Sequence, residues 1–120
     1  MNLTKQQIDL LSERKVVALA TSGANAVPRV IFVEVNSADE DEIIITDNFM
    51  ETTKKNILEN KKVSILSFKE DYSYCFRIFG EAEYHTEGKY FDFVRGLETN
   101  KDYSPKGAVV VKIKEIFEFE

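Results

Sequence analysis

The chain has 120 residues, of which 43% are hydrophobic and 31% charged, a composition typical of a globular protein. This length supports one hydrophobic core, so we expect a single domain spanning residues 1–120. The formal net charge of −5 argues against non-specific binding to nucleic acid, which requires a basic surface.

The cysteine count and the apolar runs bear on the compartment. Cys75 is the only cysteine and cannot form an intramolecular disulfide, which favours a reducing environment. The first residues lack the apolar segment of a signal peptide. The longest apolar runs are far shorter than the roughly 20 residues that cross a bilayer. We therefore expect a cytoplasmic protein with no membrane partner.

The N-terminal segment predicts a surface helix. Thr4 fits the N-cap position, and Gln7 stands three residues later to complete a capping box. Leu3 and Ile8 occupy the positions of a hydrophobic staple. The apolar stripe that follows is narrow, which is typical of a helix lying on a surface.

Three strands are predicted next. Val16–Ser22 and Val27–Val35 are apolar runs of strand length, and the short Gly-containing connection between them indicates a hairpin. The acidic stretch Ser37–Glu42 reads as a turn, and Ile43–Thr46 follows as a third strand.

A helix is predicted directly after Thr46 and is treated separately below. Three further strands and one more helix are predicted after it. Lys62–Phe68 is the fourth strand, and Tyr74–Tyr84 alternates with period two, with Gly80 as a bend point. A helix is expected around Gly88–Glu98. The last strand runs along residues 107–119 and is predicted to place five apolar residues on one face: Val109, Val111, Ile113, Phe117 and Phe119.

The element order is α, β, β, β, α, β, β, α, β. Six strands with short connections predict a mainly β fold, namely an antiparallel barrel or sandwich with short helices at its ends, and we favour the barrel. Closure of the barrel would remove exposed strand edges.

The sequence excludes several kinds of chemistry. The only histidine, His85, has no neighbouring ligand at the spacing of a zinc site. No nucleophile elbow, Walker loop or dinucleotide-binding glycine motif is present. The carboxylates of Asp39–Glu42 form a turn cluster, which is more often a solvated face than an acid–base pair. No catalytic side chain is predicted, so any redox chemistry would belong to a cofactor.

The helix after the third strand begins with an unusual set of side chains. Asn48 and Glu51 resemble a capping box, which would start the helix at Asn48, and Thr52 is the alternative cap. Thr52, Thr53 and Lys54 then lie in or just after its first turn. Free amides, hydroxyls and an ammonium group form phosphate sites in proteins. The alternative is an ordinary solvated helix face with local ion pairs.

Arg29 is a second candidate for contact with an anionic group. It alternates in phase with the apolar residues of the second predicted strand. An arginine in that phase lies at a barrel mouth or reaches into solvent from the end of its strand. Together, Arg29 and the Thr52–Lys54 segment fit a phosphorylated cofactor held from two sides.

From about Val16 to Phe119 the chain resembles the FMN-binding split-barrel family, which includes pyridoxamine 5′-phosphate oxidase and small flavin-binding proteins. The resemblance rests on the order and separation of several stretches: VVALAT, VPRVIFVEV, IIITDNFMETTKKNILENKKVSIL, CFRIFGEAEYHTEG and VVVKIKEIFEF. It implies a six-stranded Greek-key split barrel, a homodimer, and one FMN in each of two clefts at the dimer interface.

The resemblance also implies which residues hold the cofactor. In the family, the second strand supplies an arginine and backbone groups along the isoalloxazine, the third strand supplies a hydroxyl, and the following helix holds the phosphate. These roles correspond here to Arg29, Val30, Ile31, Val33, Thr46, Thr52, Thr53 and Lys54.

Two features depart from the family pattern. Thr52 and Thr53 occupy the usual basic positions, so the lysine is displaced to Lys54. Glu34 stands where the vitamin B6 oxidases carry a substrate-binding lysine, and a carboxylate there would repel phosphorylated pyridoxamine. We therefore expect an FMN-binding oxidoreductase or electron carrier whose electron donor and acceptor are unknown.

Two alternatives remain open at this point. The first is a binding or sensing module for a deazaflavin, haem or B6 phosphate. The second is a cofactor-free interaction protein.

The nine Phe and five Tyr residues give independent support for a dimer, with four aromatic residues that face a partner, the flavin or the core: Phe79, Tyr103, Phe117 and Phe119.

Overall fold

The computed structural model describes residues 2–119. The helices are α1 (Lys5–Glu13), α2 (Thr52–Glu59), α3 (Lys89–Arg95) and a 3₁₀ turn at Glu98–Asn100. The strands are β1 (Val16–Ser22), β2 (Pro28–Ala38), β3 (Glu42–Asp47), β4 (Lys62–Phe68), β5 (Cys75–His85) and β6 (Gly107–Glu118).

The six strands form a closed antiparallel barrel in the order β1-β2-β3-β6-β5-β4. β4, β5 and β6 follow one another, and β3 lies beside β6, which is the Greek-key arrangement. The predicted fold is confirmed, including the helices at the barrel ends. α2 is anchored at the end of β1 by a hydrogen bond from Asn56 to Thr21, whereas α1 directly precedes the start of β1.

The sequence pattern explains the local structure at both ends of the chain. The capping box of α1 is confirmed, because the Gln7 amide donates to Thr4 Oγ1 at 3.2 Å and the Thr4 amide donates to Gln7 Oε1 at 2.9 Å. The alternation predicted for β5 is also confirmed, with Phe76 and Ile78 fully buried on its inner face. The predicted third helix is shorter than expected and ends at Arg95.

A β-bulge interrupts the pairing of β5 with β6. Gly80 pairs with Ile113, but Phe79 pairs with Glu115, so Lys114 is an extra residue in β6. A Cβ atom at Gly80 would lie 2.6 Å from the Lys112 carbonyl oxygen, which explains why a glycine stands at this bend.

The bulge makes one prediction wrong. Because the extra residue reverses the alternation, Ile116 packs against the core and Phe117 turns to the outer surface. There the Arg77 guanidinium lies 4.3 Å from the centroid of the Phe117 ring. Phe119 lies after β6, with its ring against Tyr74. The predicted single apolar face of the last strand therefore ends near Ile113.

Gly80→Ala is expected to lower the free energy of unfolding by about 1–3 kcal/mol, because the added methyl group clashes with backbone. Gly96→Ala is the matched control, since a Cβ there meets nothing closer than 3.4 Å. Urea unfolding of both variants checks this result. Equal midpoints would mean that β6 can shift to accept the methyl group.

Candidate functional site

A cleft lies along the part of β2 that has only one neighbouring strand. β2 pairs with β1 from Pro28 to Glu34, but with β3 only from Val35 onward. Within residues 2–119, no strand covers the second edge of Pro28–Glu34, so its backbone groups are open to a ligand. A cleft of about 520 Å³ borders this segment, a volume in the range of small-molecule sites.

The first turn of α2 faces the same cleft. Thr52 is the first helical residue, and Thr53, with a buried side chain, is the second; both line the cleft. The N-cap residue Glu51 makes no side-chain capping hydrogen bond. The first amides of a helix have no partner within the helix, so this turn presents free N–H donors and partial positive charge.

Of the two predicted starts of α2, Asn48 is wrong, and Thr52, the alternative cap, is instead the first helical residue. The Asp47 side chain accepts a hydrogen bond from the Met50 amide at 2.8 Å, which holds residues 48–50 in a turn before the helix. The Asn48 side chain donates to Asn100 Oδ1 at 3.2 Å and takes no part in a capping box. The helix therefore begins four residues later, at Thr52.

Six of the eight predicted site residues lie in one cleft. Its lining includes Arg29, Ile31, Val33, Thr46, Thr52 and Thr53. The other two side chains lie outside it. Val30 points to the outer surface of β2 and is 65% exposed, and Lys54 Nζ lies 5.0 Å from the centroid of the Tyr84 ring.

The charges around the cleft are few. Arg29 is the only cation among its lining residues, and within residues 2–119 its side chain makes no hydrogen bond or ion pair. Glu34 and Glu51 also line the cleft. An anionic group bound here would therefore depend on Arg29 and on the amides of α2.

Four polar side chains form a hydrogen-bond network in the cleft wall. Asn100 Nδ2 donates to the Val94 carbonyl at 2.8 Å and to Thr46 Oγ1 at 2.9 Å. The Thr46 hydroxyl donates to Asn36 Oδ1 at 2.7 Å. Asn48, the fourth member, donates to Asn100 and leaves its own Oδ1 buried without a partner among the described residues.

A second hydrogen-bond network, centred on Asp47, stabilises the turn before α2. Asp47 is fully buried and accepts a hydrogen bond from Tyr84 Oη at 2.5 Å. Lys106 Nζ donates to the Met50 carbonyl at 2.6 Å and lies 3.8 Å from Asp47 Oδ1. Burial, and then the bond to Asp47, raise the pKa of Tyr84 well above its usual range.

Two exposed aromatic side chains, Phe49 and Tyr103, line the cleft. The rings of Phe49 and Tyr103 meet edge to face with centroids 5.5 Å apart. Both side chains line the cleft and are at least half exposed. They therefore offer apolar surface that a flat ring could cover.

Sequence reasoning missed two asparagines of the cleft wall, Asn36 and Asn100. Asn36 is next to the acidic turn, and Asn100 lies in a segment with no periodic pattern. Neither carries a sequence signal, because the network joins residues that are 54 positions apart. Their contacts appear only in the folded chain.

The described residues contain no group of three or more His, Cys, Asp or Glu side chains placed to hold a metal ion. Within residues 2–119, no helix has the length and apolar character needed to cross a membrane.

The fold and the cleft define a split-barrel protein, in which the open edge of one strand borders a cleft of small-molecule size. The sequence model of the family described as pyridoxamine 5′-phosphate oxidase matches residues 3–119. The chain belongs to this family. An uncharacterised protein of Methanocaldococcus jannaschii is 37% identical over 123 residues, covering 98% of this chain and 80% of that protein.

Solved structures share the fold. HupZ of Group A Streptococcus superposes with a TM-score of 0.86 at 23% identity, covering 98% of this chain and 94% of that chain. An FMN-binding protein from Syntrophomonas wolfei superposes with a TM-score of 0.80 at 21% identity, covering 94% of this chain and 83% of that chain. At these identities the likeness shows the shared fold.

Proposed function

We propose that the chain is an FMN-binding flavoprotein that acts as an oxidoreductase or electron carrier. One observation carries the proposal: the open edge of β2 and the uncapped first turn of α2 border the same cleft. Such a cleft suits a ligand with a flat polar ring at one end and a phosphate at the other. The fold shared with the FMN-binding protein of Syntrophomonas wolfei supports the choice of FMN.

The wall of β2 would hold the isoalloxazine ring. Backbone donors and acceptors along Pro28–Glu34 have no second strand to pair with and can meet the polar edge of the ring. Ile31 and Val33 add apolar contact from the same strand, and the pair Phe49–Tyr103 adds apolar contact from elsewhere in the cleft lining.

The first turn of α2 would hold the phosphate. Its free amides and the hydroxyls of Thr52 and Thr53 are donors, and Arg29 supplies the full positive charge. Lys54 faces Tyr84 and would have to change its side-chain conformation to take part.

Bound FMN would supply the redox chemistry by accepting and releasing electrons or a hydride. The residues of the chain would bind the cofactor, orient its ring and limit its contact with water. Glu34 in the cleft lining disfavours a phosphorylated pyridoxamine as the reductant, because the two negative charges would repel each other.

The test is a titration of the purified protein with FMN, followed by flavin fluorescence and visible absorption. We expect one FMN per chain and much weaker binding of riboflavin, which lacks the phosphate. Absence of FMN binding would refute the proposal. Tight binding of a deazaflavin, haem or pyridoxal phosphate in its place would support the alternative of another ligand on the same fold.

We further propose that two copies pair through the outer face of the barrel. Val16, Val30, Phe32 and Leu66 form an exposed apolar surface there, which we call the outer apolar face. Phe32 and Leu66 both lie opposite Ala18 in adjacent strands, so the face is continuous. Phe32 also lines the cleft, so a partner seated on this face would border the cofactor site.

Leu66→Arg is expected to convert a dimer into a monomer, because a charge would be buried in the interface. Leu58→Arg is the control, since Leu58 is equally apolar and 62% exposed but lies on α2, outside the face. Light scattering at micromolar concentration measures the mass of each variant. A monomeric wild-type protein would count against a cofactor site between two copies.

A further inference from the structure

A β-bulge aims one amide side chain at the cleft. In the pairing of β2 with β3, Val35 lies opposite Ile45 and Ser37 lies opposite Ile44, so Asn36 is the extra residue. Bulges often lie beside functional sites, where they redirect a side chain out of the regular alternation. Here the bulge stands where β2 changes from an open edge to a paired one, and Asn36 lines the cleft.

The hydrogen-bond network sets the orientation of this amide. The Val94 carbonyl can only accept, so the atom of Asn100 that contacts it is Nδ2, and the same atom donates to Thr46 Oγ1. The Thr46 hydroxyl then has its own proton to give, and Asn36 accepts it through Oδ1. The opposite orientation of Asn36 would leave the Thr46 proton without an acceptor among the described residues.

Thr46 and Asn36 therefore have different capacities to bind a ligand. The hydroxyl of Thr46 donates to one neighbour and accepts from another. By contrast, Asn36 Nδ2 has no partner within residues 2–119, so its two N–H donors are available to a ligand.

We propose that Asn36, and not Thr46, donates the side-chain hydrogen bond to the ring of the bound cofactor, and that Thr46 is a positioning residue that fixes the Asn36 amide. This inference rests on the proposed FMN binding. It also differs from the role implied by family resemblance, in which the third strand supplies the contacting hydroxyl.

The bond has an electrostatic consequence for the cofactor. An N–H donor at a ring carbonyl stabilises negative charge on the ring, and the reduced ring carries more electron density than the oxidised one. The Asn36 amide therefore favours the reduced state. Its removal should lower both the affinity for FMN and the midpoint potential of the bound flavin.

A double-mutant cycle with FMN as the probe separates the two roles. Asn36→Ala is expected to weaken FMN binding about tenfold, the value of one well-placed hydrogen bond, and Thr46→Val about fivefold. The double variant should bind like Asn36→Ala alone, because Thr46 acts only through Asn36. Thr46→Ser keeps the hydroxyl and should restore both the affinity and the midpoint potential of the wild-type protein.

Thermal unfolding without FMN measures structural damage in each variant separately. The midpoint potential is the second readout, because a merely structural role would not change it. Two results would overturn the inference alone: multiplied losses in the double variant, or a wild-type potential in Asn36→Ala. Failure of the wild-type protein to bind FMN would overturn both the proposed function and this inference.

Discussion

Asp47→Ala is expected to lower the free energy of unfolding by about 3–5 kcal/mol, the cost of breaking a buried polar network. Asp47 is fully buried, and its loss removes the acceptor of the Tyr84 hydroxyl and of the Met50 amide. It also leaves Lys106 without its nearby carboxylate. The change therefore removes several interactions and creates a cavity at once.

Chemical denaturation of two variants measures this effect. Tyr84→Phe is the graded comparison, because it deletes one hydroxyl and keeps the ring that Lys54 and Gly107 contact. We expect it to cost about 1–2 kcal/mol, so the ratio of the two losses tests the network and not only the cavity. Equal losses in both variants would mean that Asp47 contributes little beyond its bond to Tyr84.

The hydrogen bond between Tyr84 and Asp47 predicts that the free energy of unfolding depends on pH. The pKa of Tyr84 is raised in the folded protein, first by burial and then by the bond to Asp47. The contribution of Tyr84 to stability is therefore fully present below the ordinary pKa of 10.0 and is lost as the pH rises beyond it. Tyr84→Phe should remove this loss, and alkaline unfolding curves of the two proteins test it.

The barrel was predictable from sequence because β1, β4 and β5 alternate between buried and more exposed residues with period two. The inner and outer faces of β5 alternate without a break, and Thr4 with Gln7 marks the start of α1 by type and spacing alone. Such local rules carry enough information to place elements in order. The resemblance to a known family then supplied the topology.

Bulges explain where sequence reasoning failed. The extra residue Lys114 reverses the alternation of β6, and the extra residue Asn36 turns toward the cleft. Neither residue is of a type that marks a bulge in the sequence. A bulge is defined by the pairing with the partner strand, which the sequence of one strand does not contain. The capping box predicted at Asn48 failed for a related reason, since Asp47, which holds the turn before α2, is bound by Tyr84 from a distant strand.

The candidate site was predictable in part. Arg29 and the two threonines of α2 carry visible signals, because their side chains are unusual at their positions. The asparagines carry none, since an amide gains its meaning only from the partners that orient it. A site built from backbone edges and amide networks is therefore harder to find in a sequence than one built from metal ligands.

Arg29→Ala is expected to weaken FMN binding by about 10- to 100-fold, because a charge-assisted hydrogen bond is worth roughly 1.5–3 kcal/mol. Arg29 is the only cation in the cleft lining, so no neighbouring side chain in that lining replaces its charge. Its side chain is exposed and unpaired within residues 2–119, so the free energy of unfolding should change by less than about 0.5 kcal/mol.

Comparison with riboflavin shows which part of the cofactor Arg29 contacts. If Arg29 holds the phosphate, Arg29→Ala should leave the weak binding of riboflavin unchanged and remove most of the preference for FMN. Added salt should then weaken FMN binding to the wild-type protein more than to the variant. Lys55→Ala is the control, because Lys55 is an exposed cation on α2 that lies outside the cleft. An equal loss for FMN and riboflavin would instead place Arg29 against the ring, and the phosphate would then depend on the amides of α2 alone.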